Sequence, residues 1–191
     1  MGKFLDSVPV SAIVRIRDMM YTVKDPFRLD QGDVSFDAPD TFKQAVAKAM
    51  AENRTHYLPS SGIPPLRKAF AEKMRKKNGI PIGSDDEVIV TNGLFCAFQT
   101  ILEPGDEVII PDPEWPPTMA IVKQAGGVPV QVPLREDLGF RWNIADVEKA
   151  ITPKTRVLYL NSPNNPTGGV LTREDLEQLA AIARDKNLLV V

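Results

Sequence analysis

Val157-Leu158-Tyr159-Leu160 runs directly into Asn161-Ser162-Pro163-Asn164-Asn165-Pro166-Thr167-Gly168, and Thr172 then opens an amphipathic stretch that continues to Lys186. The first four residues form an apolar run of strand length, and the octapeptide is packed with turn formers. Thr172 with Asp175 three residues on has capping-box spacing, which predicts a helix start. Strand, loop and helix in that order make a crossover unit, and in α/β sheets ligands collect at the carboxyl ends of the strands. Alone, a Pro/Asn/Gly cluster is an ordinary loop. Its weight comes from the surrounding pattern.

That pattern repeats. Strands are predicted at 88–91, 108–110, 128–132, 157–160 and 188–191. Between them fall helices at 94–102, 118–124, 144–151 (with Asn143 as N-cap) and 173–186. Such alternation predicts an α/β fold, a mostly parallel sheet with helices on both faces. Upstream, a short helix is expected at 8–20 and a loop-like stretch at 26–39 around Gly32. A helix at 41–53 places Phe42, Ala45, Val46, Ala49 and Met50 on one face, and another at 66–77 ends at Asn78-Gly79.

Composition narrows the function classes. Of 191 residues, 43% are hydrophobic and 25% charged, with net charge −2, which is a globular balance with no electrostatic argument for nucleic acid or a membrane surface. Seventeen prolines stiffen the many loops. One cysteine, Cys96, excludes an internal disulfide, and one histidine, His56, leaves no metal cluster to argue for. Apolar runs are far short of a membrane span and the first residues lack a signal-peptide core, so the expected compartment is the cytoplasm. No Gly-x-Gly-x-x-Gly follows a predicted strand and no P-loop is present, which removes a nucleotide-binding Rossmann reading.

Several segments, taken in order, carry a resemblance: Tyr57 with Gly62 and Leu66-Arg67; Val90-Thr91-Asn92-Gly93; Pro104-Gly105-Asp106-Glu107-Val108; Pro111-Asp112-Pro113-Glu114-Trp115; Gly126-Gly127; Ala150-Ile151-Thr152-Pro153-Lys154-Thr155; and residues 161–168. Together the chain resembles the pyridoxal-phosphate aminotransferases of class I/II (fold type I), over nearly its whole length. The resemblance implies a large, cofactor-binding domain at 41–191, incomplete at its fifth strand, preceded at 1–40 by an arm and a small-domain segment. It implies pyridoxal 5'-phosphate as cofactor, an amino acid and a 2-oxo acid as substrates, and a homodimer. By matching position, Asn165 would hydrogen-bond the phenolic oxygen of the cofactor ring, adding a donor without a charge. Trp115 would stack on the ring face, and Tyr57 would reach the phosphate in the neighbouring subunit. Gly93 and Leu94 would stand at the helix start that holds the phosphate, and Gly32 beside the substrate carboxylate. Arg67 reads as a structural charge on its helix.

Two departures qualify that expectation. Leu94-Phe95 follow Gly93 where the family has small or polar residues, and the helix is shorter by about one turn of 3.6 residues. The Asp-Glu-x-Tyr segment, the Schiff-base lysine and the carboxylate-binding arginine have no matching positions in these 191 residues. Catalytic residues are therefore expected to be absent and transamination by this polypeptide alone is not expected. In the family sheet two later strands separate the first from the fifth, so the segment 88–91 is expected either to pair with the fifth strand or to find another neighbour. A chain lacking them would be marginally stable. The alternatives are a non-catalytic binding or dimerisation partner of a full-length relative, and half of another fold-type-I enzyme such as a lyase or synthase.

Overall fold

The computed structural model describes residues 12–27, 32 and 36–191. Positions 8–11 of the first predicted helix, and positions 28–31 and 33–35 of the loop around Gly32, lie outside them. Helices are α1 (Ala12–Met20), α2 (Asp40–Ala51), α3 (Pro64–Asn78), α4 (Leu94–Ile101), α5 (Pro117–Gln124), α6 (Ile144–Ala150) and α7 (Arg173–Asp185). Strands are β1 (Glu107–Asp112), β2 (Val128–Arg135), β3 (Arg141–Trp142), β4 (Thr155–Leu158) and β5 (Leu189–Val190). The described residues divide into two compact units, Ile16–Asn92 and Gly93–Val191, the latter including Ala12–Arg15.

In the Gly93–Val191 unit the strands lie in the order β3-β2-β1-β4-β5. Pairing is parallel throughout except between β2 and β3, where Leu134 faces Trp142. Successive side chains of a strand point to opposite faces, so a strand covered on both sides reads as a continuous apolar run. β1 shows this directly. Val108 and Ile110 pack with Phe98 of α4, Val122 of α5 and Val157, whereas Ile109 packs with Val147 of α6, Leu179 of α7 and Leu158. Two cores result, one on each face of the sheet, as the alternating pattern predicts.

Several motifs turn out to be hinges of this framework. Thr152 and Thr155 donate their hydroxyls to the Glu107 carboxylate, tying the turn before β4 to the start of β1. Gly105 N–H donates to the Gly126 carbonyl at 3.0 Å. A Cβ on Gly127 would come within 2.9 Å of Leu102 Cδ1 and 3.2 Å of the Asp106 carbonyl, so only glycine lets that turn close. The capping signals hold: Asn143 accepts from Ala145 N–H at 3.0 Å, and Thr172 and Asp175 form a full capping box.

β3 was not expected. It is two residues long, too short for periodicity to register. The buried Trp142 indole donates to the Val132 carbonyl at 3.0 Å, which satisfies its one polar atom.

The strand expected at 88–91 does not form, and it joins neither β5 nor any other described strand. A ladder needs a neighbour, and here the backbone bonds within the Ile16–Asn92 unit instead: Val90 N–H donates to the Ser61 carbonyl at 3.0 Å. Gly62 makes this possible, since a Cβ there would lie 2.7 Å from Val90 Cγ2. Residues 87–91 and Phe70, Met74 and Ile82 line an apolar cavity of about 390 Å³ in this unit. Arg67 has the structural role expected of it, pairing with Asp86 at 3.2 Å.

Candidate functional site

The carboxyl ends of β1 and β4 lie side by side, because β1 pairs β4 in parallel and Tyr159 N–H extends the ladder to the Ile109 carbonyl at 2.9 Å. Two loops leave the sheet there. One carries Pro113, Glu114 and Trp115 into α5; the other is the octapeptide 161–168 that leads to α7.

The octapeptide is held by one of its two adjacent amides. Asn164, only 6% exposed, accepts on Oδ1 from Thr167 N–H at 3.2 Å and from the Thr167 hydroxyl at 2.8 Å. Its backbone closes the loop, with Asn164 N–H donating to the Gly169 carbonyl at 2.8 Å and Gly168 N–H to the Asn164 carbonyl at 2.8 Å. Gly168 has φ +75°, a left-handed conformation suited to glycine. Gly169 lies so close to the Gly139 and Phe140 carbonyls that a side chain would collide with both. Asn165, the next residue, is exposed. Asn164 is thus committed to the loop and Asn165 is presented.

Glu114 joins the two loops. Asn161 Nδ2 donates to Oε1 at 2.9 Å and to Oε2 at 3.2 Å, and Asn164 Nδ2 donates to Oε2 at 3.1 Å. The Thr118 hydroxyl of α5 is 3.5 Å from Oε1, and Trp115 N–H also donates to the carboxylate. Burial pushes the Glu114 carboxyl above its ordinary value, and these donors only partly offset that. Tyr159 is raised as well: burial is the main cause, a Thr118 hydrogen bond opposes it, and the Glu114 charge adds to it. Sequence reasoning missed Glu114, Asn161, Asn164, Thr118 and Tyr159. Partners 47 and 50 residues apart leave no local signature, although a glutamate between Pro113 and Trp115 at a strand exit was a usable hint.

Trp115, directly after Glu114, is 39% exposed at the same end of the sheet. The structure therefore gathers Trp115 and Asn165 on adjacent, cross-linked loops. Gly93 precedes α4 with φ +74° and ψ −158°, and no side chain caps the helix. Leu94 is half-buried against the Phe98, Val108 and Val122 core, so the apolar residue after the glycine is accounted for by packing. Gly32 and Tyr57 belong to the other unit; both are exposed, and Tyr57 extends fully from the surface. Among the described residues no group of three or more His, Cys, Asp or Glu could hold a metal, and no helix is long and apolar enough to cross a membrane.

Comparison with known proteins agrees with this geometry. Residues 24–191 match the model of the family "Aminotransferase class I and II". The chain is 40% identical over 188 residues to a probable aspartate/prephenate aminotransferase of Thermus aquaticus, covering 97% of this chain and 49% of the relative. It is 43% identical over 166 residues to the aspartate/prephenate aminotransferase of Thermus thermophilus, covering 85% and 43%. The solved Thermus thermophilus aspartate aminotransferase with maleate superposes with a TM-score of 0.93 at 39% identity, covering all of this chain and 52% of that one. The chain spans about half the length of the curated relatives it matches. A family match over residues 24–191, with a superposition that covers the whole chain, places this chain among the class I and II aminotransferases, fold-type-I enzymes whose cofactor is pyridoxal 5'-phosphate.

Proposed function

We propose that this chain supplies one wall of a pyridoxal-phosphate pocket in an enzyme that transfers an amino group between an amino acid and a 2-oxo acid. The observation that carries the reading is the pairing of an exposed aromatic, Trp115, with an exposed amide, Asn165, on loops cross-linked at the carboxyl edge of the sheet. That donor set suits a flat ring bearing a phenolic oxygen: the indole covers a ring face, and the amide donates to the oxygen without adding charge. The cofactor, when bound, supplies the electron sink for the chemistry.

Each residue of the chain then has a bounded role. Trp115 limits water access to one face of the ring and fixes its plane. Asn165 orients it by one hydrogen bond. The start of α4 at Gly93-Leu94 would turn the positive end of a helix toward the phosphate. Tyr57, projecting from the Ile16–Asn92 unit, would reach the phosphate of a second subunit in a homodimer, and Gly32 would admit the substrate carboxylate. In this reading residues 1–40 are arm and small-domain segment, 41–191 the cofactor-binding domain, and the compartment is the cytoplasm. No lysine of the chain is assigned the covalent link to the cofactor, so the chain alone binds without turning over substrate. Because relatives are named for aspartate, aspartate and 2-oxoglutarate are the first pair to test.

The experiment is a titration of the purified chain with pyridoxal phosphate, followed by tryptophan fluorescence and ring absorbance. Expected is saturable quenching that W115F abolishes and N165A weakens about ten-fold, the loss of one hydrogen bond of about 1.4 kcal/mol. Transamination of aspartate by the chain alone, or quenching indifferent to both substitutions, overturns the reading.

A further inference from the structure

We propose that Glu114 is a positioning residue: its carboxylate joins the loop after β1 to the loop after β4 and so fixes where Trp115 and Asn165 stand relative to one another. The inference rests on reading those two residues as ring contacts, and it concerns a residue that touches neither ring nor substrate in that reading.

Glu114 has leverage on both loops. It is covalently next to Trp115, and Asn164 is next to Asn165. A bond between Glu114 and Asn164 therefore couples the backbone of one candidate contact to the backbone of the other across two loops. Glu114 and Asn164 meet at 3.1 Å, and Asn161 braces the same carboxylate with contacts to both oxygens. Thr118 reaches it from α5, and Tyr159 lies close enough on the continuation of β4 to feel its charge. Three segments, each leaving or entering the sheet edge, thus converge on one side chain.

The chemistry is specific to a carboxylate. Ionised, it is an acceptor on both oxygens and can take two amide donors at once. The Asn164 amide cannot rotate to suit another partner, because its Oδ1 is already occupied by Thr167 N–H and the Thr167 hydroxyl. Its Nδ2 is therefore directed at Glu114. A glutamine at 114 is nearly isosteric but would set one NH₂ group against the Asn161 or Asn164 NH₂ group. An aliphatic residue would take this acceptor from the Asn161 amide and leave Asn164 Nδ2 only the Pro113 carbonyl at 3.5 Å, in a half-buried place. Burying a carboxylate is unfavourable, and a residue serving only to fill space here would be better apolar. Two orthogonal donors explain why an acid stands there.

The arrangement also predicts its own repair. In the double variant E114Q/N164D the donor and acceptor exchange sides. The amide introduced at 114 donates to the carboxylate introduced at 164, and its carbonyl accepts from Asn161. The new carboxylate still accepts from Thr167. Net charge is unchanged from the wild type.

The test uses the full chain, labelled with ¹⁵N, and follows the two indole N–H resonances and the Asn165 side-chain amide. Trp142, bonded to the Val132 carbonyl in the core, serves as internal control. In E114Q the Trp115 and Asn165 signals shift or broaden while Trp142 stays, and E114Q/N164D returns them to their wild-type positions. Signals of Trp115 and Asn165 unmoved in E114Q, or still displaced in the double variant, overturn the proposal. Should E114Q lose the Trp142 signal also, the double variant decides: recovery of both indoles supports the coupling, and failure to recover refutes it. Pyridoxal phosphate affinity, read by fluorescence, should fall about ten-fold in E114Q and recover in the double variant. A wild-type chain that binds no pyridoxal phosphate refutes the cofactor reading instead, since the resonances report the coupling without cofactor.

Discussion

Replacing Asp175 by alanine should destabilise the fold by about 2.5–3 kcal/mol, for reasons that separate cleanly. Both Asp175 oxygens accept from Arg141 Nη1, at 2.9 and 2.8 Å, and Oδ2 also accepts from Thr172 N–H at 2.7 Å and from the Thr172 hydroxyl at 2.8 Å. One side chain thus caps α7 and fastens it to β3. Loss of the cap costs about 1 kcal/mol, and loss of a charge-assisted pair with arginine a further 1.5–3 kcal/mol or so. The Asp175 side chain is only 12% exposed but that of Arg141 is 31%, so the released guanidinium can rehydrate and the lower half of the sum applies. Burial pushes the Asp175 carboxyl up, but the Arg141 and Thr172 bonds outweigh it and hold the group below its ordinary value of 3.8. A depressed folded value means the contribution is present above pH 3.8 and lost as pH falls through the lower folded value. Urea unfolding followed by Trp142 fluorescence, at about pH 7 and about pH 3, measures both effects, and a double-mutant cycle with R141M isolates the pair. A shift under about 0.5 kcal/mol at neutral pH, the range of an ordinary surface substitution, would refute the argument.

Leu158→Ala opens a cavity at a fully buried position of β4 and should cost about 2–5 kcal/mol by the same urea assay. Gly169→Ala and Gly168→Ala form a discriminating pair. The first drives a methyl into the Gly139 and Phe140 carbonyls, whereas the second meets open space and strains only a left-handed φ, so Gly169 should be the costlier site and Gly168 should lose about 1 kcal/mol. Glu114 gives the opposite pH slope to Asp175. Its folded value is raised above 4.5, so its contribution is fully present below pH 4.5 and lost as pH rises through the folded value. The stability of the wild type relative to E114Q, measured by urea titration across that window, should therefore fall with rising pH; a flat or rising difference contradicts it.

What the sequence made legible is what is local. The apolar periodicities located every long helix and four of the five described strands to within a few residues, Asn143 caps its helix, and Thr172 with Asp175 forms the capping box that its spacing implies. Residues 88–91 carry the same apolar signature as β1, yet a strand is a property of two segments, and this one bonds to Ser61 rather than to a ladder. The long-range polar links were invisible for the same reason. Arg141 to Asp175 spans 34 residues and Glu114 to Asn164 spans 50. Asp175 could be read as a helix-capping residue from its neighbours, but its second partner could not.

That blindness bears on how a site should be sought in such a chain. Of the octapeptide's two adjacent amides, the one that is buried has its oxygen and its nitrogen both engaged, and the one beside it is exposed. Glu114 and Trp115 repeat the arrangement on the neighbouring loop, a multiply bonded residue followed by an exposed aromatic. A side chain meant to meet a ligand gains nothing from internal partners, but its backbone must be held, and the nearest place to hold it is the adjacent residue. N164A and N165A should therefore separate the two duties. N164A removes one of the donors to Glu114 and the acceptor of the Thr167 N–H and hydroxyl, and should cost about 1–3 kcal/mol of stability. N165A should change stability by less than about 0.5 kcal/mol while weakening ring binding. Equal losses of stability in the two variants would mean that the exposed amide is part of the framework, and the assignment of a ligand contact to it would fail.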